Sequence, residues 1–343
     1  MAMLAPVATL DRRAVVLHGA AAAQGGPDEA DTLVQVETVK EALASLGYAV
    51  TLLAVDLDLA PVARLARRRF DLVVNLVESL RGDGRLIHLV PAVLDSVGVT
   101  YTGAPAVAIY ASTNKIMAKR LMRDVGILTP EWCDSDGLAC LTDPDARYIV
   151  KSVCEDASIG LDAGSVVAAG DVSRAMADRR ARLGGDWFAE RYVDGREFNL
   201  SILESPHGPL VLPVAEIQFV DYPLDRPRIV DYEAKWLEGS FAFEHTPRRF
   251  VDGAADAPLV AELRRLASDC WRLFGLRGYA RVDFRVDAAG RPWVLEVNAN
   301  PCLSPDAGFM AAAARAGLTA TDVIAMIAEI AQPNSRRATA AAV

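Results

Sequence analysis

Residues 278–301 hold two alternating segments, Tyr279-Ala-Arg-Val-Asp-Phe-Arg-Val286 and Pro292-Trp-Val-Leu-Glu-Val-Asn298, joined by Asp287-Ala-Ala-Gly-Arg291. The period of two and the glycine-containing connector predict an antiparallel hairpin. Side chains alternate faces along a strand, so Val282, Phe284 and Val286 share one side, as do Trp293, Leu295 and Val297 on the second strand. Bringing both apolar sets together predicts pairing of 282 with 297, 284 with 295 and 286 with 293, and a loop over 288–291. On the other face Arg281 then meets Asn298, and Asp283 meets Glu296. Two carboxylates, a carboxamide and a guanidinium converge there, and oxygen donors of this kind suit Mg²⁺. A solvated outer face with an Arg–carboxylate pair is the plainer reading. The continuation Ala299-Asn-Pro301 is odd for such a strand, and the metal site is the reading taken.

The rest of the chain is α/β in character. Ala14–Leu17, Tyr48–Leu53 and Phe70–Leu76 read as strands of an open α/β domain over about the first 110 residues. Between the first two, Leu33, Val36, Val39, Leu43 and Leu46 recur at helical spacing in a segment starting at Thr32 and closed by Gly47. A helix is expected from Lys115 to Val125, stopping at Gly126. Strand-like runs follow at 148–150, 187–189, 198–203 and 209–212, then an amphipathic helix over 258–274 and terminal helices over 311–316 and 321–330. The last dozen residues read as a disordered tail.

Composition narrows the function. The net charge of −9 argues against a sequence-independent nucleic-acid binder. The longest uncharged stretch, 96–114, is broken by Gly98, Gly103 and Pro105, so no membrane span is expected. No signal peptide is visible, and a cytoplasmic location is expected. Five cysteines without a CxxC pair suggest neither a disulfide framework nor a zinc site.

Arg281-Val-Asp-Phe and Leu295-Glu-Val-Asn-Ala-Asn-Pro301 resemble the RxD and LExNxxP segments of ATP-grasp enzymes of the D-alanine–D-alanine ligase family. Further segments are similar in the same order: Tyr101-Thr-Gly103 with Thr113-Asn-Lys115 and Gly126-Ile-Leu-Thr-Pro130; Ile149-Val-Lys151 with Glu155 and Ser158-Ile-Gly160; Ala189-Glu-Arg-Tyr-Val-Asp-Gly-Arg-Glu-Phe198; and Asp231-Tyr-Glu-Ala-Lys235. The likeness runs from about residue 70 to 330. It implies an α+β ATP-grasp fold with an N-terminal Rossmann-like domain at 1–112, a central subdomain at 113–195, a C-terminal subdomain at 196–331 and a tail at 332–343.

The resemblance also implies residue roles. Lys115 and Lys151 contact ATP phosphates, and Lys235 reaches the terminal one. Glu190 and the backbone near Tyr192 and Val193 hold adenine, and Glu197 holds the ribose hydroxyls. Asp283, Glu296 and Asn298 hold two Mg²⁺ ions, with Mn²⁺ as a possible substitute, while Arg281 stabilises charge at the reacting carbonyl. Ser158 belongs to an amide nest over the phosphates within a lid at 153–164. The implied reaction is ATP-dependent ligation of a small-molecule carboxylate to an amine through an acyl phosphate, releasing ADP, by a homodimer.

The departures concentrate where the family binds its amino acids. The loop 18–31 lacks the family's ammonium-binding glutamate, for which Asp28, Glu29 or Asp31 could substitute. The segment Cys302-Leu-Ser-Pro-Asp-Ala-Gly308 replaces the family's carboxylate-binding Ser-Leu with Ala307-Gly308, leaving Ser304 and Asp306 as candidate substrate contacts. Asn75-Leu-Val-Glu-Ser79 differs as well. Substrates other than two D-alanines are therefore expected, with Asp306 favouring an amine that lacks a carboxylate or carries an extra cation. Cys302 is expected to pack rather than react. An authentic D-alanine–D-alanine ligase and a non-catalytic nucleotide-binding regulator stay open. A dinucleotide-dependent dehydrogenase and a P-loop enzyme lack their glycine-rich motifs.

Overall fold

The computed structural model of the protein describes residues 12–20, 26–133, 143–155 and 158–331, without the side chains of 27–29. The expected tail, Cys140 and the side chains of Asp28 and Glu29 lie outside the described residues.

The first unit is the expected open α/β domain. β1 (Arg12–Gly19), β2 (Tyr48–Val55) and β3 (Leu72–Asn75) form a parallel sheet in the order β2-β1-β3, linked through α1 (Pro27–Ser45) and α2 (Ala60–Ala63). Ala14–Leu17 is fully buried, as a central parallel strand requires. α1 starts at Pro27 rather than Thr32, because proline's missing N–H is no loss in a first turn. Val36, Val39 and Leu43 are buried as expected, whereas Leu33 is 53% exposed. α3 (Leu89–Ser96), α4 (Ala106–Thr113) and α5 (Lys115–Asp124) follow. Asn114 separates the last two and caps α5, its Oδ1 accepting from the Met117 amide at 2.9 Å.

β4 (Trp132–Cys133), β5 (Arg147–Ser152), β6 (Val166–Ala168) and β7 (Trp187–Arg191) form an antiparallel sheet in the order β4-β7-β5-β6, backed by α6 (Val172–Leu183). Neither β6 nor α6 is among the sequence expectations. α6 buries Val172, Ala175, Met176 and Arg179 at helical spacing, but small side chains and neighbouring arginines hide that stripe.

The third unit carries a six-stranded antiparallel sheet. Its strands are β8 (Arg196–Ser205), β9 (Gly208–Val211), β10 (Ala215–Ile217), β11 (Arg248–Phe250), β12 (Tyr279–Val286) and β13 (Pro292–Asn298). The order is β11-β10-β8-β12-β13, with β9 also on β8. α7 (Tyr232–Trp236) and α8 (Phe241–Glu244) precede β11, α9 (Ala257–Phe274) precedes β12, and α10 (Gly308–Arg315) and α11 (Ala320–Ala331) end the chain. One sheet face, with Phe198, Leu200, Val282 and Phe284, packs on Leu263, Ala267 and Trp271 of α9. α11 instead packs Val323, Ile324 and Ile327 against Val36, Val39 and Leu43 of α1, so the chain's end shares a core with its beginning. Among the described residues no single helix is long and apolar enough to cross a membrane.

The hairpin forms with part of the expected register. Arg281 pairs with Asn298, Val282 with Val297 and Asp283 with Glu296. Beyond Asp283 the register shifts, and Phe284 faces Val294, Arg285 faces Trp293 and Val286 faces Pro292. The expected 284–295 and 286–293 pairs do not form, because Leu295 is the extra residue of a β-bulge. Val294 rather than Leu295 enters the core, and the connector spans 287–291 instead of 288–291. Between β7 and β8, Gly195 lies so close to β12 that an added Cβ would come within 2.0 Å of the Val286 carbonyl oxygen. Only glycine allows that approach.

Candidate active site

The sheet face opposite α9 carries the chemistry. In register, Asp283 lies between Asn199 of β8 and Glu296 of β13, and Arg281 lies between Ser201 and Asn298. Glu197, two residues before Asn199, pairs with Arg285. Alternation puts all the odd-numbered residues of β8 and β12 on this side.

Arg281 grips Asp283 from Nε to Oδ1 and from Nη2 to Oδ2, each at 2.8 Å, and Asn199 Nδ2 donates to Oδ1 at 2.8 Å. Burial, with the nearby Glu296 charge adding to it, pushes Asp283 above the usual carboxylate range against the pull of Arg281. Burial would raise Glu296 too, but Lys115, Lys151 and Arg281 overcome it and hold its carboxyl at about 2. Asn298 Oδ1 accepts from the Asn300 amide at 2.9 Å, which leaves its second lone pair. A divalent cation fits this set: the donors are hard oxygens, and it would relieve the strain of two carboxylates sharing a buried face.

The lysines converge on the same face. Lys115, the first residue of α5, donates to the Glu155 carbonyl at 2.8 Å and lies 3.8 Å from Glu296. Lys151, on β5, is 2.7 Å from Glu190 Oε1. Lys235 rides on α7, whose cap is Asp231 Oδ1 accepting from Ala234 N at 2.8 Å. Burial, then the like charge of Arg281, lowers its pKa, and Glu296 and Asp283 oppose the shift.

Several of the expected site residues are engaged by neighbouring protein groups. The oxygens of Glu190 are turned to Lys151 and to Lys119, the latter at 2.5 Å, with the carboxylate 1% exposed. Its carboxylate thus links Lys119 of α5 to Lys151 of β5. The lysines hold Glu190 below its usual range although burial pushes the other way. Lys119, one turn after Lys115, is fully buried and also donates to Thr129 Oγ1 at 2.7 Å. The Tyr192 amide is committed to the Arg147 carbonyl at 2.9 Å, so of the two hinge amides only that of Val193 is left for a base. Glu197 is held by Arg285 Nη2 at 2.8 Å, and Arg285 also donates to the Gly195 and Arg228 carbonyls. The Ser158 hydroxyl donates to the Val230 carbonyl at 2.8 Å, away from the lysines. It ties residues 158–161 to the loop before Lys235, as does the Tyr232 amide bonding to the Leu161 carbonyl at 3.1 Å.

The substrate candidates also find places. Cys302 Sγ donates to Asp31 Oδ2 at 2.9 Å and lies 3.1 Å from Ser304 Oγ, which is buried. Burial, then the charges of Glu78 and Asp31, pushes this thiol up, so it is a packed donor as expected. Glu78 accepts from Gln35 Nε2 at 2.8 Å, and its charge acts on Tyr279, Cys302 and Lys235. Asp306 lies near Arg248, whose charge it favours. Lys119, Asn199, Arg285 and Arg248 escape the sequence reading. The four-residue spacing of Lys115 and Lys119 was the one usable signal among them. An open cleft of about 790 Å³ lies along Asp194, Gly195, Phe219 and Asp287, but it contains none of the lysines or metal-facing carboxylates.

Comparison with known proteins identifies the family. The family model described as "D-ala D-ala ligase C-terminus" matches residues 144–329. An uncharacterized protein of Sinorhizobium fredii, y4sG, is 32% identical, with 79% of this chain and 76% of that protein covered. A D-alanine–D-alanine ligase of Synechococcus sp. is 32% identical, with 85% and 86% covered. The crystal structure of the Bacillus anthracis D-alanine–D-alanine ligase complexed with ATP superposes with a TM-score of 0.70 at 20% identity, covering 95% of this chain and 99% of that one. That likeness shows the ATP-grasp fold. The chain thus belongs to the D-alanine–D-alanine ligase family of ATP-grasp enzymes, ADP-forming ligases that depend on ATP and a divalent metal.

Proposed function

We propose that this enzyme phosphorylates a small carboxylate with ATP and joins it to an amine, with a substrate pair other than two D-alanines. One observation carries the reading: Lys115, Lys151 and Lys235 converge on the sheet face that bears Asp283, Glu296 and Arg281. Phosphate charge is met by the lysines as compact point charges. The Val193 amide and Glu197 take the nucleoside, which requires Arg285 to share Glu197. Asp283, Glu296 and Asn298 would hold two Mg²⁺, which supply neutralisation of charge on the transferring phosphoryl group. Arg281 spends Nε and Nη2 on Asp283, and its guanidinium charge stabilises the oxyanion as the amine attacks. The lid tethered through Ser158 keeps water from the acyl phosphate. We further propose a cytoplasmic homodimer, which light scattering tests as twice the chain mass.

The divergence at Cys302–Gly308 and in the 18–31 loop supports the unusual substrates. Incubation with ATP, Mg²⁺ and D-alanine alone tests this: no dipeptide is expected, while a screen of paired carboxylates and amines releases ADP. Efficient D-alanyl-D-alanine formation would overturn the substrate reading and leave the ligase reading standing.

A further inference from the structure

We propose that Arg248 is a specificity-determining residue that anchors an anionic group on the amine substrate; this rests on the ligase reading above. Arg248 opens the edge strand β11, paired with Ile217 of β10, which in turn pairs with Glu197 of β8. Register therefore puts its side chain on the face of Glu197, Asp283 and Glu296. The guanidinium reaches across to the segment that replaces the family's acceptor loop. A Cβ on Gly308 would lie 3.7 Å from Arg248 Nη2.

Arg248 is open to solvent yet not on a convex surface. Crowding by surrounding protein, then the like charge of Arg281, lowers its pKa, and Asp306 opposes that shift. Among the described residues its guanidinium makes no hydrogen bond and no ion pair within 4.0 Å. A planar fork of five donors, within electrostatic range of a second guanidinium and left unbonded, matches a carboxylate or another planar anion. Arg281 is not the equivalent group, since Asp283 takes two of its donors. The sequence alone favours an uncharged or cationic amine on account of Asp306. Arg248 answers that charge and reverses the preference.

The test separates donor activation from acceptor recognition. Hydroxylamine is a small uncharged acceptor that traps acyl phosphates. A panel of carboxylates with ATP, Mg²⁺ and hydroxylamine identifies the donor by hydroxamate and ADP. With that donor, amino acids are compared with their carboxamides, glycine against glycinamide and β-alanine against β-alaninamide. The wild type prefers the acids. Arg248→Ala raises the acceptor KM for acids about 10- to 100-fold, as expected for a lost charge-assisted bond, and the acid-over-amide preference collapses. The hydroxylamine reaction falls far less. Arg248→Lys recovers part of the preference, and Asp306→Asn lowers the KM for acids. An unchanged acid-to-amide ratio in Arg248→Ala overturns the proposal, as does a wild type that prefers carboxamides or diamines. If no carboxylate yields hydroxamate and ADP, the ligase reading fails and this inference goes with it.

Discussion

Replacing Glu190 with Gln should destabilise the protein through two lysines at once. Glu190 is 1% exposed and lies 2.5 Å from Lys119 and 2.7 Å from Lys151. Lys151 is 14% exposed and can turn outward, whereas Lys119, 1% exposed, keeps Thr129 Oγ1 but loses its only charged partner within 4.0 Å among the described residues. Removing one partner of a buried pair costs about 3–5 kcal/mol. Lys119 can also shed its proton, which at pH 7 costs at most about 4.6 kcal/mol, from 1.36 kcal/mol per unit below a free lysine near 10.4. The first route gives a loss of about 3–5 kcal/mol and the second caps it at about 4.6 kcal/mol, so calorimetry should show a Tm lowered by about 10 °C. The pH dependence follows in sign. Burial already lowers the Lys119 pKa and Glu190 opposes that shift; without Glu190 its folded pKa falls further below the unfolded value, so the penalty is present at neutral pH and disappears as pH rises toward about 10. Adding Lys119→Met should restore more than half the loss, because neutral groups then replace the 119–190 pair. A deficit under about 1 kcal/mol, or a double variant no more stable than Glu190→Gln, would refute the reasoning.

Glu296→Gln should abolish ADP release at ordinary Mg²⁺ while circular dichroism stays near wild type; near-normal turnover would remove Glu296 from the metal set. Glu197→Ala should raise the KM for ATP more than it lowers kcat. It should also lower stability by about 3 kcal/mol, since Arg285 is only 4% exposed and loses its partner. An unchanged Tm would mean that the pair contributes nothing. Gly195→Ala should yield little folded protein, because its Cβ would meet the Val286 carbonyl oxygen at 2.0 Å; a soluble, cooperative variant would contradict that contact.

The carboxylate-bearing face was legible because strand alternation fixes which residues share a side, and two of its pairs, 281–298 and 283–296, follow from that. The bulge was not, since Leu295 is apolar and suits the core as well as Val294 does. α6 was hidden because a stripe of Val, Ala and Met among arginines carries little periodic signal. Glu190 and Glu197 were recognised by position in a motif, but motifs name residues without naming their partners. Lys119 and Arg285 decide what those carboxylates can do, and packing reveals them. Contacts such as Cys302 with Asp31, 271 residues apart, arise only from the return of the chain's end to its beginning. Arg248 escaped for the same reason, since its neighbour Asp306 comes from a distant segment.

The central claim is that a carboxylate is activated as an acyl phosphate on this face. Labelling both carboxylate oxygens of the donor with ¹⁸O and measuring the released phosphate by mass spectrometry tests it directly. Attack by the carboxylate on ATP, followed by displacement of phosphate from the acyl carbon by the amine, must carry a single ¹⁸O atom into each phosphate, in step with ADP. Unlabelled phosphate from a reaction that still forms the amide would contradict the account.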